Sequence, residues 1–171
     1  LINPGTVHAA GGGLLIAEVQ QSSDITLRLY DWGRENNPAT ARAMNLEEAL
    51  DIIDFKQLRP GECIVRKPES GKPIFDTDKF TLTKIELSGP YKVTPEKFGS
   101  FIVYICIDGA VQVQAPGADG DNSMYRLGKG QLILIPAAMD ECFIIPEGKQ
   151  AAVLETCVKV AGEESDSYID E

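Results

Sequence analysis

Apolar and polar residues alternate along several short runs of this chain, a pattern typical of strands that bury one face. Such runs occupy residues 63–66, 80–87, 101–107, 111–114, 131–136 and 151–160. Glycine and proline punctuate them, and Asp108-Gly109 predicts a tight hairpin between two of the runs. The pattern therefore predicts an all-β domain of short antiparallel strands, a jelly roll or small barrel.

The first 56 residues carry a different pattern. Residues 14–19 and 26–30 predict two strands that follow the glycine turn at residues 11–13. Residues 45–53 predict the one helix of the chain, with Asn45 as its N-cap and Glu48 in the capping-box position. This short helix is expected to connect two β units.

Composition and charge narrow the function classes. The chain has 171 residues and a formal net charge of -10, which repels phosphate backbones and anionic lipid surfaces. We therefore expect neither a nucleic acid nor a membrane partner. The four cysteines form no close pair, so they are predicted to be reduced, structural thiols. No export signal is evident, and a cytoplasmic location is expected.

His8, the single histidine, lies beside a turn and offers two interpretations. It could be an ordinary surface histidine, or it could be a zinc ligand aimed by the rigid turn. Glu18, Asp24 and Arg28 share parity on an ideal strand and could all face the same side if no bulge intervenes. Glu18 interrupts an apolar run, where an ionisable group must be solvated, paired or used.

The segments 5–9, 11–24 and 27–34 resemble the C-terminal part of type I mannose-6-phosphate isomerases, zinc-dependent enzymes of the cupin superfamily. The resemblance implies a cupin-like jelly roll and conversion of the hexose 6-phosphates mannose 6-phosphate and fructose 6-phosphate through an enediolate. It implies that His8 is the last Zn²⁺ ligand and that Arg28 is the active-site arginine. Glu18 and Asp24 become candidates for proton handling. An equally weighted alternative is that Asp24 has a structural role, as part of a turn.

The resemblance also implies a domain scheme. Residues 1–36 would be the terminal strands of a catalytic cupin unit, 37–56 a linker with the helix, 57–160 a degenerate second cupin unit, and 161–171 a disordered acidic tail. The family's other ligands lie on earlier strands, and Leu1 stands where an initiator Met would. We therefore expect a piece of a longer protein that is inactive alone.

Two alternatives remain open at the level of sequence. One is a non-catalytic cupin module that binds a sugar, and the other is a purely structural piece. Zinc stoichiometry and hexose-phosphate turnover separate both from the isomerase. The sequence leaves the oligomeric state unknown.

Overall fold

The computed structural model of the chain describes residues 1–23, 25–56, 59, 64–117 and 121–159. The chain divides into two compact units, residues 1–64 and residues 65–171. The predicted acidic tail at 161–171 lies outside the described residues, as does Cys63 at the start of the predicted strand 63–66. Residues 64–66 are described and belong to no strand.

The described residues of the second unit form nine strands in two antiparallel sheets. The strands are β1 (Pro73–Asp76), β2 (Phe80–Leu87), β3 (Tyr91–Val93), β4 (Ile102–Asp108), β5 (Ala110–Pro116), β6 (Asn122–Gly128), β7 (Leu132–Ile135), β8 (Cys142–Pro146) and β9 (Ala151–Val158). One sheet has the order β1-β2-β9-β4-β7 and the other β3-β8-β5-β6. This order is that of a jelly roll, so the predicted all-β class is confirmed.

Alternation along β4 and β5 explains why the sheets face each other. Ile102, Tyr104 and Cys106 of β4 are buried, and their neighbours along the strand are less so. Val111 and Val113 of β5 follow the same rule. Side chains of a strand point alternately to its two faces, so each strand offers one apolar face to the shared core.

The predicted hairpin at Asp108-Gly109 is wrong, because β4 and β5 belong to different sheets. β4 pairs with β7 and β9, whereas β5 pairs with β6 and β8. Gly109 has φ +67, and a Cβ on it would lie 3.0 Å from the Gln150 carbonyl oxygen. The turn passes from one sheet to the other because both apolar faces must reach the same core.

The first unit contains the predicted helix, α1 (Leu46–Ile52), with two differences from expectation. Asn45 stands at the N-cap, but its side chain makes no capping hydrogen bond. Its Oδ1 instead accepts a 3.5 Å bond from the backbone N–H of Arg28. Ala49 is buried on the predicted apolar face, while Leu46 and Leu50 stay about half exposed.

The two strands predicted at 14–19 and 26–30 are not formed. The described residues from 1 to 33 contain no helix or strand. Leu15 is 87% exposed, and Leu14 and Ile16 are exposed as well. A strand forms only when its N–H and C=O groups pair along a neighbour, and the described residues of this unit provide no such ladder.

Among the helices of the described residues, none has the length and apolar character required to cross a membrane.

Candidate functional site

His8 lies exposed in a loop of the first unit. The Thr6 N–H closes the preceding turn on the Asn3 carbonyl oxygen at 3.1 Å, and the Thr6 carbonyl oxygen lies 2.8 Å from His8 Nδ1. A carbonyl can only accept, so in the neutral imidazole Nδ1 carries the proton and Nε2 keeps its lone pair. This hydrogen bond is the arrangement that orients metal-binding histidines, and it leaves Nε2 suited to bind a metal.

Gly5 brings the His8 loop against the C-terminal end of α1. Its φ is +79, and a Cβ there would come within 2.7 Å of the Ile52 carbonyl oxygen. The Asp54 N–H donates to the Gly5 carbonyl at 3.0 Å. Only glycine permits both the backbone conformation and the close approach, so Gly5 fixes where the loop begins.

The structure holds Arg28 through its backbone and through its guanidinium. The Asn45 N–H donates to the Arg28 carbonyl at 3.0 Å, and Arg28 Nη1 donates to the Ala43 carbonyl at 3.0 Å. Arg28 Nε lies 3.9 Å from Asp31 Oδ1. The guanidinium is therefore placed by fixed neighbours, as an electrostatic role at a site requires.

Asp31, which the sequence analysis did not select, is the centre of the charged cluster in this unit. Its Oδ1 accepts from Arg34 Nη2 at 2.7 Å and from Arg42 Nη2, and its Oδ2 accepts from Arg42 Nε at 3.0 Å. The residue is only 1% exposed. The hydrogen bond from Arg42 lowers the pKa of Asp31 to about 2, aided by Arg34 and opposed by burial. The available signal was an acid between arginines at 28 and 34, with a third arginine at 42.

Trp32 follows Asp31 with φ +56, the one positive value at a non-glycine residue among those described. Its ring centroid lies 5.5 Å from that of Tyr30, and the planes are tilted by 59°. A shallow cleft of about 410 Å³ is lined by Trp32, Arg34 and the backbone region of Ala10, Gly11 and Gly12. Strained backbone conformations of this kind cluster at binding sites, which makes the cleft a candidate surface.

The other predicted site residues are less constrained. The Glu18 side chain is exposed, and within the described residues no hydrogen bond or ion pair holds it. Asp24 lies outside the described residues. In the part of the chain that the structure describes, no three His, Cys, Asp or Glu side chains gather as a metal site. His8 can thus contribute one ligand, but these residues do not complete a zinc centre.

The second unit has a buried acid of another kind. The Tyr104 hydroxyl donates to Glu155 Oε2 at 2.5 Å, and Glu155 is 8% exposed. Thr83 and Tyr104 flank Glu155 at matching positions of the neighbouring strands. Burial raises the pKa of Glu155, and the hydrogen bond from Tyr104 offsets this only in part. Burial, helped by the charge of Glu155, also raises the pKa of Tyr91 to about 12.

Cys106, Cys142 and Cys157 are free and buried. Burial raises the pKa of each thiol, which keeps it neutral and unreactive at neutral pH. The prediction of reduced, structural thiols is confirmed for these three.

Comparison with known proteins finds relatives that are all named mannose-6-phosphate isomerase. No family model matches the chain. It is 26% identical over 144 residues to the mannose-6-phosphate isomerase of Streptococcus mutans, covering 77% of this chain and 40% of the relative. It is 26% identical over 140 residues to mannose-6-phosphate isomerase ManA of Bacillus subtilis, covering 80% and 42%. The chain thus spans about two fifths of the length of these curated relatives.

The fold leads to the same group of proteins. The solved structure of the mannose 6-phosphate isomerase from Bacillus subtilis matches with a TM-score of 0.59 at 19% identity, over 78% of this chain and 40% of that chain. At this identity the match shows the fold alone. Over about four fifths of its length, the chain is similar in sequence to bacterial proteins named mannose-6-phosphate isomerase, and it has the cupin-like jelly roll expected from that resemblance.

Proposed function

We propose that the full-length protein is an aldose-ketose isomerase that interconverts mannose 6-phosphate and fructose 6-phosphate. The observation that carries the proposal is the sequence similarity, 26% over 144 residues, to a relative named for this activity. The fold match to a solved structure of the same name supports it. Because the chain covers about two fifths of these relatives, the activity is proposed for the whole protein.

Arg28 and the two acids have roles that follow from the reaction. The isomerisation moves a proton between C1 and C2 through an enediolate, which needs a proton carrier and a group that stabilises oxyanion charge. The guanidinium of Arg28, fixed by Ala43 and Asp31, supplies the stabilising charge. Exposed Glu18 is the proposed proton carrier, and Asp24 is the second candidate.

His8 is proposed as one ligand of a Zn²⁺ ion through its Nε2 atom. The support is the hydrogen bond between Nδ1 and the Thr6 carbonyl, which leaves Nε2 able to coordinate. A bound zinc would supply Lewis acidity to the substrate oxygens. The described residues hold no complete ligand set, so the role of His8 is limited to this one bond.

The variant His8→Ala tests the proposal in the full-length protein. Zinc content and turnover of mannose 6-phosphate are both expected to fall, because an imidazole ligand is lost. Asp78→Asn is the matched control, since Asp78 is an exposed side chain of the second unit that could bind a metal but is assigned no role. Unchanged zinc and turnover in His8→Ala would refute His8 as a zinc ligand.

The unaltered full-length protein separates the isomerase from the alternatives. Turnover of mannose 6-phosphate is the expected result. Binding of a hexose phosphate without turnover would instead establish a non-catalytic sugar-binding module, and the absence of both would leave the structural role. The 171-residue chain alone is predicted to show no turnover, because its described residues supply one zinc ligand.

A further inference from the structure

The charge balance around Asp31 differs from that of every other ion pair the structure shows among the described residues. Elsewhere one cation meets one carboxylate: Lys72–Glu69, Lys79–Asp78, Lys84–Glu86, Lys92–Glu141, Arg126–Glu147, Lys129–Asp108 and Lys159–Asp76. Around Asp31, three arginines share a single carboxylate. The cluster therefore carries a formal excess of two positive charges within a chain whose net charge is -10.

Arg34 and Arg42 keep donors that Asp31 does not use. Each guanidinium donates through Nε and Nη2, to the side chain or backbone of Asp31. Neither Nη1 donates a hydrogen bond to a described residue, and the two side chains are 48% and 46% exposed. Both guanidiniums bind the same Oδ1 atom, so one carboxylate oxygen ties the two half-exposed side chains together. Two arginine edges held together are a good match for the oxygens of a phosphate.

The cleft beside Arg34 offers room for the rest of such a ligand. It measures about 410 Å³, and Arg34 and Trp32 form part of its lining. The Trp32 ring is exposed and provides an apolar face, while Gly11 and Gly12 have no heavy atom within 4 Å of a built Cβ. An aromatic face next to a cationic edge suits a sugar that carries a phosphate.

We propose that Arg34 and Arg42, held together by Asp31, bind the phosphate group of a phosphomonoester. Asp31 acts as the positioning residue, since it fixes the two guanidiniums and stays ionised between them. The proposal deepens the function argued above and rests on it for the identity of the phosphomonoester, a hexose 6-phosphate. The anion site itself is defined by the charge excess and by the unused donors.

Calorimetric titration of inorganic phosphate into the full-length protein tests the site without any turnover. Arg34→Gln and Arg42→Gln are each expected to weaken binding about tenfold, the loss of one charge-assisted contact. Arg126→Gln is the matched control, because it removes an exposed arginine from a one-to-one pair and should leave binding within about twofold. Equal phosphate affinity in all four proteins would overturn the site.

Arg42→Lys guards against a folding defect. It keeps the positive charge beside Asp31, so it should retain more phosphate affinity than Arg42→Gln. A lysine variant as weak as the glutamine variant, with slow hydrogen exchange preserved at the Asn45 amide, would contradict the charge-based site.

Kinetics separate this proposal from the isomerase. In an active protein, Arg34→Gln should raise the KM for mannose 6-phosphate about tenfold and change kcat much less, because the phosphate is bound equally in the ground and transition states. If the protein proves inactive but phosphate binding still depends on both arginines, the isomerase fails and the site stands. Turnover of mannose 6-phosphate with unchanged KM and unchanged phosphate affinity in the variants would support the isomerase and refute the phosphate site.

Discussion

Asp31 in the first unit and Glu155 in the second are both buried carboxyl groups, yet their surroundings are opposite. Asp31 lies among three arginines, and the hydrogen bond from Arg42 leads the causes that lower its pKa to about 2. Glu155 has a tyrosine hydroxyl as its hydrogen-bond partner, and burial raises its pKa. The first group is an anion at any ordinary pH, while the second is pushed towards its neutral form.

The difference shows that the charge of the partners decides whether the effect of burial is overcome: arginines outweigh it at Asp31, whereas a neutral hydroxyl group does not at Glu155. In the first unit the partners of the acid are cations, and Asp31 holds three arginines, Arg28 among them, around one carboxylate. Where only hydroxyl groups are supplied, the acid becomes part of the core between two sheets. The proposed chemistry therefore belongs to the first unit, and we expect the second unit to act as a scaffold.

Among the variants that test this comparison, removal of the Asp31 carboxylate should have the largest effect on the structure of its unit. In Asp31→Ala, three guanidiniums lose their shared anion and repel one another. Hydrogen exchange at the Arg34 and Asn45 amides should approach that of an unstructured chain. Glu35→Ala, which alters an exposed acid of the neighbouring turn, is the control and should change little. Full protection in Asp31→Ala would show that the arginines do not depend on this acid.

Tyr104→Phe should have the next largest effect, confined to the second unit. The hydroxyl that donates to Glu155 is lost, and a buried acceptor without its donor costs about 1–3 kcal/mol of unfolding free energy. Tyr125→Phe on β6 removes an exposed hydroxyl and should change stability by less than about 0.5 kcal/mol. Denaturant unfolding of both variants provides the measurement, and equal stability would show that the pair contributes nothing.

The pH dependence of stability should have opposite sign in the two units. The pKa of Asp31 is lowered from 3.8 to about 2, so the stability it provides is complete above pH 3.8 and is lost as the pH falls towards 2. The pKa of Glu155 is raised above 4.5, so the contribution of this group to the stability of the second unit is complete below pH 4.5 and is lost as the pH rises through the folded-state pKa.

Hydrogen exchange read separately in the two units checks both slopes. Asp31→Asn should reduce the loss of stability that the first unit shows below pH 3.8. Glu155→Gln should reduce the loss of stability that the second unit shows above pH 4.5. A single common slope in both units would mean that neither carboxyl sets the pH dependence.

The smallest effect is expected for an exposed one-to-one pair. Lys92 Nζ lies 2.7 Å from Glu141 Oε2, and both side chains are about half exposed. Lys92→Ala should cost between 0 and about 1 kcal/mol in unfolding free energy, with the difference reduced further at high salt. A larger loss would show that surface pairs also stabilise the jelly roll, which would weaken the contrast with Asp31.

Strong alternation made the long central strands of the second unit predictable. β2 and β9 fall within the runs identified from the sequence, and β4 and β5 overlap them. The short edge strand β7 also lies within one run. β6 was missed because its sequence NSMYRLG is mostly exposed and polar at an edge of the sheet, and β3 was missed because three residues give no period. The sheet crossing at Gly109 depends on which strands pair, and a local turn signal cannot report that.

Residues of the candidate site could be predicted from the sequence only where the type of side chain and its motif were sufficient to indicate a role. His8 and Arg28 stood out by residue type and motif, and the structure gives both a fixed hydrogen-bond partner. The strands expected to carry Glu18 and Asp24 side by side failed, because parity holds only for a chain that is extended and paired. Asp31 was missed because its role depends on Arg42, eleven residues away, folding back onto it.

Turnover of mannose 6-phosphate by two variants of the full-length protein tests most directly the claim that the first unit carries the chemistry. Arg28→Gln removes the guanidinium proposed to stabilise the enediolate and should lower kcat about 100-fold or more. Glu155→Gln mimics the neutral acid of the second unit and should leave kcat within about twofold of the unaltered protein. The reverse result, an active Arg28→Gln and an inactive but folded Glu155→Gln, would contradict the account.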